Sequence, residues 1–315
     1  MNFGVSASWI AASQSPLREI VQLGRPLMMS YLKQIFTTPA VSIGLQAADT
    51  AAHALRAGLI FGLGQGLALS AQGQSFLWPY LFGSSPVMPG LDPAEWCLCL
   101  LGAAVGLAAL MHREWAGVWR ELRSRERRND TTEWRALLLA AIPCLLLQWR
   151  LNAWGQHFQA AGAVAVFLLL TGGVLRLADR WGHNAVESSQ HVPPWLALIG
   201  GVVAGFAVLP GISAVAILLA IGLYSRASGG GAGRFALMAI TIVLAVEGLV
   251  RLPATLGNWP TEFLPLLVGA AVGAAAGAAL LLWVLRSWRE RALPVLISYC
   301  TATAGLLLFF GVFAK

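Results

Sequence analysis

The stretch Pro210–Ala216, with the sequence PGISAVA, interrupts an apolar and glycine-rich part of the chain. Proline lacks a backbone N–H and glycine tolerates unusual dihedral angles, so a helix is expected to break here. Inside a bilayer, a broken helix is stable only where its freed backbone groups meet protein or a water-filled cavity. The stretch therefore predicts a binding site at membrane depth.

The composition of the whole chain predicts a membrane protein. The 315 residues are 57% hydrophobic and 11% charged, whereas soluble domains average about 45–50% and about 25%. Apolar runs recur along nearly the whole chain, which excludes a soluble domain held by a single anchor. Because a full span takes roughly 20 residues, we expect an all-α polytopic protein with about eight transmembrane helices plus two re-entrant half-helices.

Two glycine-dense segments resemble each other, residues 57–67 and residues 198–211. Each is short, is followed by small polar residues and lies near the start of one half of the membrane region. Paired interrupted segments predict an internal inverted repeat with a binding site between its halves. Ordinary close packing of helices through small residues is the alternative interpretation.

The formal charge of +7 is concentrated in two arginine-rich loops, 112–135 and 286–291. Short arginine-rich loops tend to stay cytoplasmic and to contact anionic lipid headgroups. We therefore expect membrane lipids as partners, and no nucleic acid. The four cysteines lie in apolar segments without metal-ligand spacing, so we expect buried cysteines, no metal and no cofactor.

The first 48 residues form a distinct N-terminal piece, and residues 49–315 form the membrane domain. In the N-terminal piece, apolar residues recur at helical spacing with basic residues among them. This pattern predicts an amphipathic helix lying in the membrane interface. A helix that docks a protein partner is the alternative.

Neutral polar side chains near the two glycine-dense segments are candidates for binding a lipid phosphate. They are Gln65, Ser70, Gln72, Gln74, Ser75 and Ser213. Glycine-rich breaks expose backbone N–H groups, and the N-termini of half-helices favour anions. Neutral donors bind an anion weakly and release it easily.

Glu247 and Arg251 are ionisable residues in an apolar segment. Four residues apart on one helix, they are expected to pair. Ionisable groups inside membrane segments are functional candidates. A structural ion pair near the end of the span is the alternative, because Pro253 follows closely.

The order of these segments resembles the undecaprenyl pyrophosphate phosphatase (bacitracin-resistance) family of bacterial inner membranes, over about residues 53–313. Gln65-Gly66-Leu67 stands where that family has a glutamate followed by Gly-Leu in its first motif. Ile142-Pro143 and Gly172-Gly173 match helix landmarks of the family. Leu209–Ser213 matches the front of its second motif, Pro-Gly-x-Ser-Arg-Ser-Gly.

The resemblance implies a multi-pass inner-membrane protein that handles a polyprenyl pyrophosphate. In that family two glutamates and a histidine of the first motif, with an arginine and a serine of the second, line the pocket. Here Gln65 and, without a gap, Leu69 stand at the glutamate positions, while Ala214 and Val215 stand at those of the arginine and the second serine. An alanine cannot bind phosphate bidentately, and loss of one strong electrostatic donor costs about 100–1000-fold in rate.

Three functional hypotheses follow. The first, which the sequence favours, is a catalytically degenerate family member that binds or translocates a polyprenyl phosphate or related lipid. The second is a divergent active phosphatase that uses Glu247 and Arg251, or the histidines His53 and His157. The third is a structural subunit of a larger membrane complex, docked through residues 1–48.

Overall fold

The computed structural model describes residues 39–67, 70, 93–123, 133–158, 160–182, 192–255, 263–287 and 292–313. The regular elements in these ranges are all helical. The α-helices are, in chain order, α1 Pro39–Gly66, α2 Pro93–Leu110, α3 His112–Arg123, α4 Glu133–Gly155, α5 Ala161–Gly182, α6 Pro194–Ala204, α7 Ala214–Tyr224, α8 Gly229–Thr255, α9 Phe263–Ser287 and α10 Ala292–Phe313. Short 3₁₀ turns follow α4 at Gln156–Phe158 and α6 at Gly205–Val208.

The chain divides into two units, Met1–Ala52 and His53–Lys315. In the first unit the described part is the beginning of α1. The predicted N-terminal helix of residues 1–48 falls mostly outside the described residues and stays a prediction, as does its boundary at residue 49. The second unit contains every other described helix and the candidate site.

The predicted class, an all-α polytopic membrane protein, is confirmed. Five described helices are long and apolar enough to cross a membrane: α2, α4, α5, α8 and α9. Three further apolar helices are shorter, at Pro194–Val208, Ala214–Tyr224 and Leu296–Leu308. The third of these stretches lies within α10, Ala292–Phe313, which has 22 residues and so the length of a full span. The predicted number of about eight spans concerns the whole chain, including residues outside the described ranges, and stays a prediction.

Within the second unit, α7 is the most enclosed helix, and it packs against α5, α6 and α8. Helix α2 packs against both α8 and α9, and α5 packs against α10. The four cysteines are buried and free, as expected. Cys97 also donates its thiol hydrogen to the carbonyl oxygen of Gly248, at 3.2 Å, which links α2 to α8.

The contact between α1 and α9 is made by glycines spaced four residues apart on both helices. Those of α1 are Gly58, Gly62 and Gly66, and those of α9 are Gly269, Gly273 and Gly277. A β-carbon on Gly62 would clash with the carbonyl oxygen of Ala270. Small residues at this spacing let two helix backbones approach closely, which is how helices associate in membranes.

This contact corrects the prediction for the first glycine-dense segment. Residues 57–66 are the end of the continuous 28-residue helix α1 and not a short half-helix. The glycines there serve close helix packing, which was the alternative interpretation. The second segment does contain the predicted break: α6 ends at Ala204, the chain turns at Leu209–Ser213, and α7 begins at Ala214.

We predict that Gly62→Ala destabilises the second unit while Gly305→Ala does not. The new methyl group at residue 62 would force α1 away from α9, and overpacking of this kind costs about 1–3 kcal/mol. Gly305 on α10 has nothing within 4 Å of the position of a β-carbon, and alanine is the better helix former. Thermal unfolding in detergent micelles measures both effects, and equal melting temperatures would contradict the packing role of Gly62.

Candidate functional site

The break between α6 and α7 lies directly on α5 because residue 211 is glycine. Gly211 has φ +109°, a backbone conformation that residues with side chains rarely adopt. A β-carbon there would lie 2.5 Å from the carbonyl oxygen of Val164 and 2.9 Å from Cβ of Phe167. Any larger residue would therefore push the break away from α5.

Two side chains from distant parts of the sequence satisfy the backbone of Gly211. Its N–H donates to Oγ of Ser70 at 3.0 Å, and its carbonyl oxygen accepts from Oγ1 of Thr171 at 3.0 Å. Both side chains are buried. The hydroxyl proton of Thr171 is shared with the carbonyl oxygen of Phe167, one turn earlier in α5, at 3.1 Å. Buried backbone groups need such partners, so these bonds stabilise the break.

Ser213 ends the break by capping the next helix. Its Oγ accepts a hydrogen bond from the N–H of Ala216 at 3.2 Å, and the side chain is 2% exposed. Serine is among the preferred N-cap residues because its oxygen satisfies an N–H that has no partner within the helix. Ala214–Ala216, which the sequence placed in the break, form the first turn of α7.

The structure brings two of the predicted phosphate-binding residues together. Ser70 bonds to Gly211, and Ser213 follows two residues later on the same break. Gln65 lies half-buried in the last turn of α1. The other three candidates, Gln72, Gln74 and Ser75, lie outside the described residues.

Thr171 is the residue of this cluster that the sequence did not single out. It stands in the apolar run that forms α5, immediately before the two glycines at 172 and 173. A hydroxyl group in the middle of such a run was the available signal, because a buried polar group needs a hydrogen-bond partner. The identity of that partner depends on tertiary structure.

The first turn of α7 is packed as apolar core. Ala214, Val215 and Ala216 are 8%, 1% and 0% exposed, and all three belong to the main hydrophobic cluster of the unit. The side chain of Ala214 is therefore a buried methyl group. The described side chains that contact the break by hydrogen bonds are neutral.

Glu247 and Arg251 form the ion pair that their spacing predicts. Nη2 of Arg251 lies 2.7 Å from Oε1 of Glu247, and the two side chains are 33% and 14% exposed, respectively. The pair lies on α8, the helix that packs against α2 and α7. Its charges neutralise each other within one helix turn.

The histidines do not add to this site within the described residues. His157 is exposed in the 3₁₀ turn after α4, with Nδ1 3.0 Å from the carbonyl oxygen of Ala153. The side chain of His53 is outside the described residues. In the part of the chain that the structure describes, no group of three or more His, Cys, Asp or Glu residues is placed to hold a metal ion.

We predict that Gly211→Ala destabilises the protein by on the order of 1–3 kcal/mol, the usual cost of a sparsely populated backbone conformation. The matched control is Gly173→Ala on α5, because Gly173 has nothing within 4 Å of the position of a β-carbon. Denaturant unfolding in mixed micelles measures both variants. A Gly211→Ala variant as stable as its control would contradict the strained turn.

We also predict that Ser70→Ala and Thr171→Val are energetically coupled. Each substitution removes a bond to Gly211 and costs about 1–3 kcal/mol by leaving a buried backbone group unsatisfied. The double variant should lose less than the sum, because both bonds hold the same residue. Thr301→Val is the control, since Thr301 is exposed and bonds only within its own helix, to Ile297. If the double variant lost as much stability as the two single variants together, the shared role of the two hydrogen bonds would be contradicted.

Comparison with known proteins places nearly the whole second unit in one family. The family model described as bacitracin resistance protein BacA matches residues 54–306. The undecaprenyl-diphosphatase of Pelotomaculum thermopropionicum is 27% identical over 255 residues, covering 79% of this chain and 92% of the relative. The undecaprenyl-diphosphatase of Syntrophotalea carbinolica is 27% identical over 267 residues, covering 82% and 98%.

A third relative, the undecaprenyl-diphosphatase of Gluconacetobacter diazotrophicus, is 30% identical over 230 residues, covering 67% of this chain and 78% of the relative. The matched region contains α2 to α9, the break and Ser70. The sequence similarity thus covers most of the chain. The chain belongs to the BacA family of bacitracin resistance proteins, whose similar members are named undecaprenyl-diphosphatases.

Proposed function

We propose that this chain is a catalytically degenerate member of its family, a multi-pass protein of the bacterial inner membrane. It binds or translocates a polyprenyl phosphate or a related lipid at the break between α6 and α7, without cleaving a pyrophosphate. The names of the relatives, undecaprenyl-diphosphatase, supply the class of lipid. The observation that carries the proposal is the apolar first turn of α7.

Cleavage of a pyrophosphate needs positive charge to stabilise the phosphoryl oxygens and a group that positions or deprotonates the nucleophile. The resemblance places the family's arginine at residue 214, where this chain has alanine packed into the core at 8% exposure. The neighbouring Val215 and Ala216 complete the packing. The first turn of α7 therefore makes apolar contacts, and a guanidinium at residue 214 would not be solvated.

The polar groups that remain suit binding better than catalysis. The oxygens of Ser70 and Ser213 already accept hydrogen bonds from the backbone at the break. Ser213 can offer a phosphate only its hydroxyl hydrogen, and Gln65 can offer only its amide. Hydrogen bonds without charge are about half as strong as charge-assisted ones. Weak binding with easy release is the behaviour of a carrier or a sensor.

A divergent phosphatase centred on Glu247 and Arg251 is the second candidate. The observation in its favour is that both charged residues lie in a helix that is otherwise largely apolar. The 2.7 Å contact between Arg251 and Glu247 argues against this candidate. A carboxylate paired with a guanidinium is a poor base, and the paired guanidinium is not available to bind phosphate. A structural subunit docked through residues 1–48 remains the third candidate.

We predict that the purified chain in liposomes releases phosphate from undecaprenyl pyrophosphate at least about 100-fold more slowly than the Pelotomaculum relative, because one missing electrostatic donor already costs that much. Binding of undecaprenyl phosphate, followed by native mass spectrometry, should remain. Gln65→Leu should weaken this binding, whereas Gln148→Leu, a half-buried glutamine on α4 that bonds to Cys144, should not.

The same preparation separates the alternatives. Phosphate release as fast as that of the relative, and abolished by Arg251→Ala, would establish the divergent phosphatase and overturn the proposal. Movement of a fluorescent polyprenyl phosphate between leaflets distinguishes a translocator from a static binder. Co-purification of a partner that is lost on deletion of residues 1–48, with no lipid binding, would favour the structural subunit.

A further inference from the structure

The neighbours and the exposed side chains of helix α3 are those of a helix at the membrane surface. It follows α2, a candidate span, after Met111 alone, and α4, another candidate span, begins at Glu133. On α3, Val118 is buried in the core, whereas Trp119 and Leu122 are 60% and 51% exposed. An amphipathic helix with exposed tryptophan and leucine beside arginines is typical of the boundary between headgroups and acyl chains.

A partly open cavity of ≈ 190 Å³ lies between α3 and the first turns of α4 and α8. Its charged lining residues are Glu114, Glu133 and Arg234, one from each helix, and Phe235 and Met238 add apolar surface. Because α3 has these features of a helix at the membrane surface, we expect the cavity at the depth of the lipid headgroups.

The cavity is lined by positively and negatively charged side chains, which favours a ligand that carries both a negative and a positive charge. Nε of Arg234 donates to the carbonyl oxygen of Gly230 at 3.3 Å, within its own helix. Among the described residues, neither Arg234 nor Glu114 takes part in a salt bridge. The guanidinium and the start of α8 favour an anion, whereas the carboxylate of Glu114 favours a cation.

We propose that this cavity binds a phospholipid headgroup that contains a phosphate and a primary ammonium, as in phosphatidylethanolamine. The phosphate contacts Arg234 and the start of α8, and the ammonium donates to Glu114. A quaternary ammonium has no N–H to donate, so phosphatidylcholine binds more weakly. The volume is below the roughly 300–1,000 Å³ of pockets for drug-sized ligands, which suits a headgroup whose acyl chains stay in the bilayer.

This site is separate from the break between α6 and α7. The cavity lies at the start of α4, whereas Gly155 at the end of α4 contacts Val208, next to the break. At 1.5 Å per residue these two ends of α4 are roughly 30 Å apart. The headgroup site therefore does not rest on the proposed binding of a polyprenyl phosphate.

Native mass spectrometry of the delipidated full chain with added lipid tests the site. Phosphatidylethanolamine should bind about tenfold more tightly than phosphatidylcholine or phosphatidylglycerol. Glu114→Gln and Arg234→Gln should each weaken its binding by about tenfold. The matched controls Glu121→Gln and Arg120→Gln lie on α3 outside the cavity lining and should leave it unchanged.

A variant that fills the cavity covers the case in which the charge variants fold poorly. Gly117 lines the cavity and has nothing within 4 Å of the position of a β-carbon, so Gly117→Leu should fold and block the headgroup. Unchanged binding in a folded Gly117→Leu variant would overturn the proposal. The proposal would also be overturned if phosphatidylglycerol bound as tightly as phosphatidylethanolamine and Arg120→Gln weakened the binding. That result would indicate general electrostatic attraction to the protein surface. Free phosphoethanolamine that binds as tightly as the lipid would overturn the assignment to a lipid.

Discussion

The two hydrogen bonds to the backbone of Gly211 are the constraint on which the rest of the second unit depends. They join a residue that follows α1 (Ser70), a residue in the middle of α5 (Thr171) and the break itself. An unsatisfied buried backbone group costs about 1–3 kcal/mol, so each of the two partners stabilises the broken helix. The break in turn fixes where α7 starts, and α7 is the buried helix that α5, α6 and α8 enclose.

The same bonds limit what the site can do chemically. The hydroxyl oxygens that the sequence offered as phosphate ligands are engaged with the backbone, and no charged side chain among the described residues bonds to the break. In the proposed function, the same few neutral side chains therefore both stabilise the break and bind the lipid phosphate.

The sequence predicted the helical membrane class, the break and the pair of Glu247 and Arg251, because composition, a Pro-Gly-Ser stretch and a four-residue spacing are local signals. It did not predict the length of α1, since glycines every four residues fit both a break and a close helix contact. The choice depends on α9, whose glycines at 269, 273 and 277 lie about two hundred residues later. Thr171 was missed for a similar reason, as its partner Gly211 is remote in sequence. The cavity between α3, α4 and α8 was not predicted either, because its lining residues come from separate helices and form no pattern in the sequence.

The second unit has two polar regions, the break between α6 and α7 and the cavity at α3. They differ in charge because they differ in burial. The break is buried and its hydrogen-bonding side chains are neutral, whereas the cavity at the other end of α4 is partly open and is lined by two carboxylates and a guanidinium. Moving a charge into an apolar interior costs several kcal/mol unless a partner accompanies it. An arginine placed at position 214 would be such an unpaired charge, because Val215 and Ala216 fill the turn with apolar atoms. In the proposed function, a guanidinium at this position would therefore need both an anionic partner and a repacked turn.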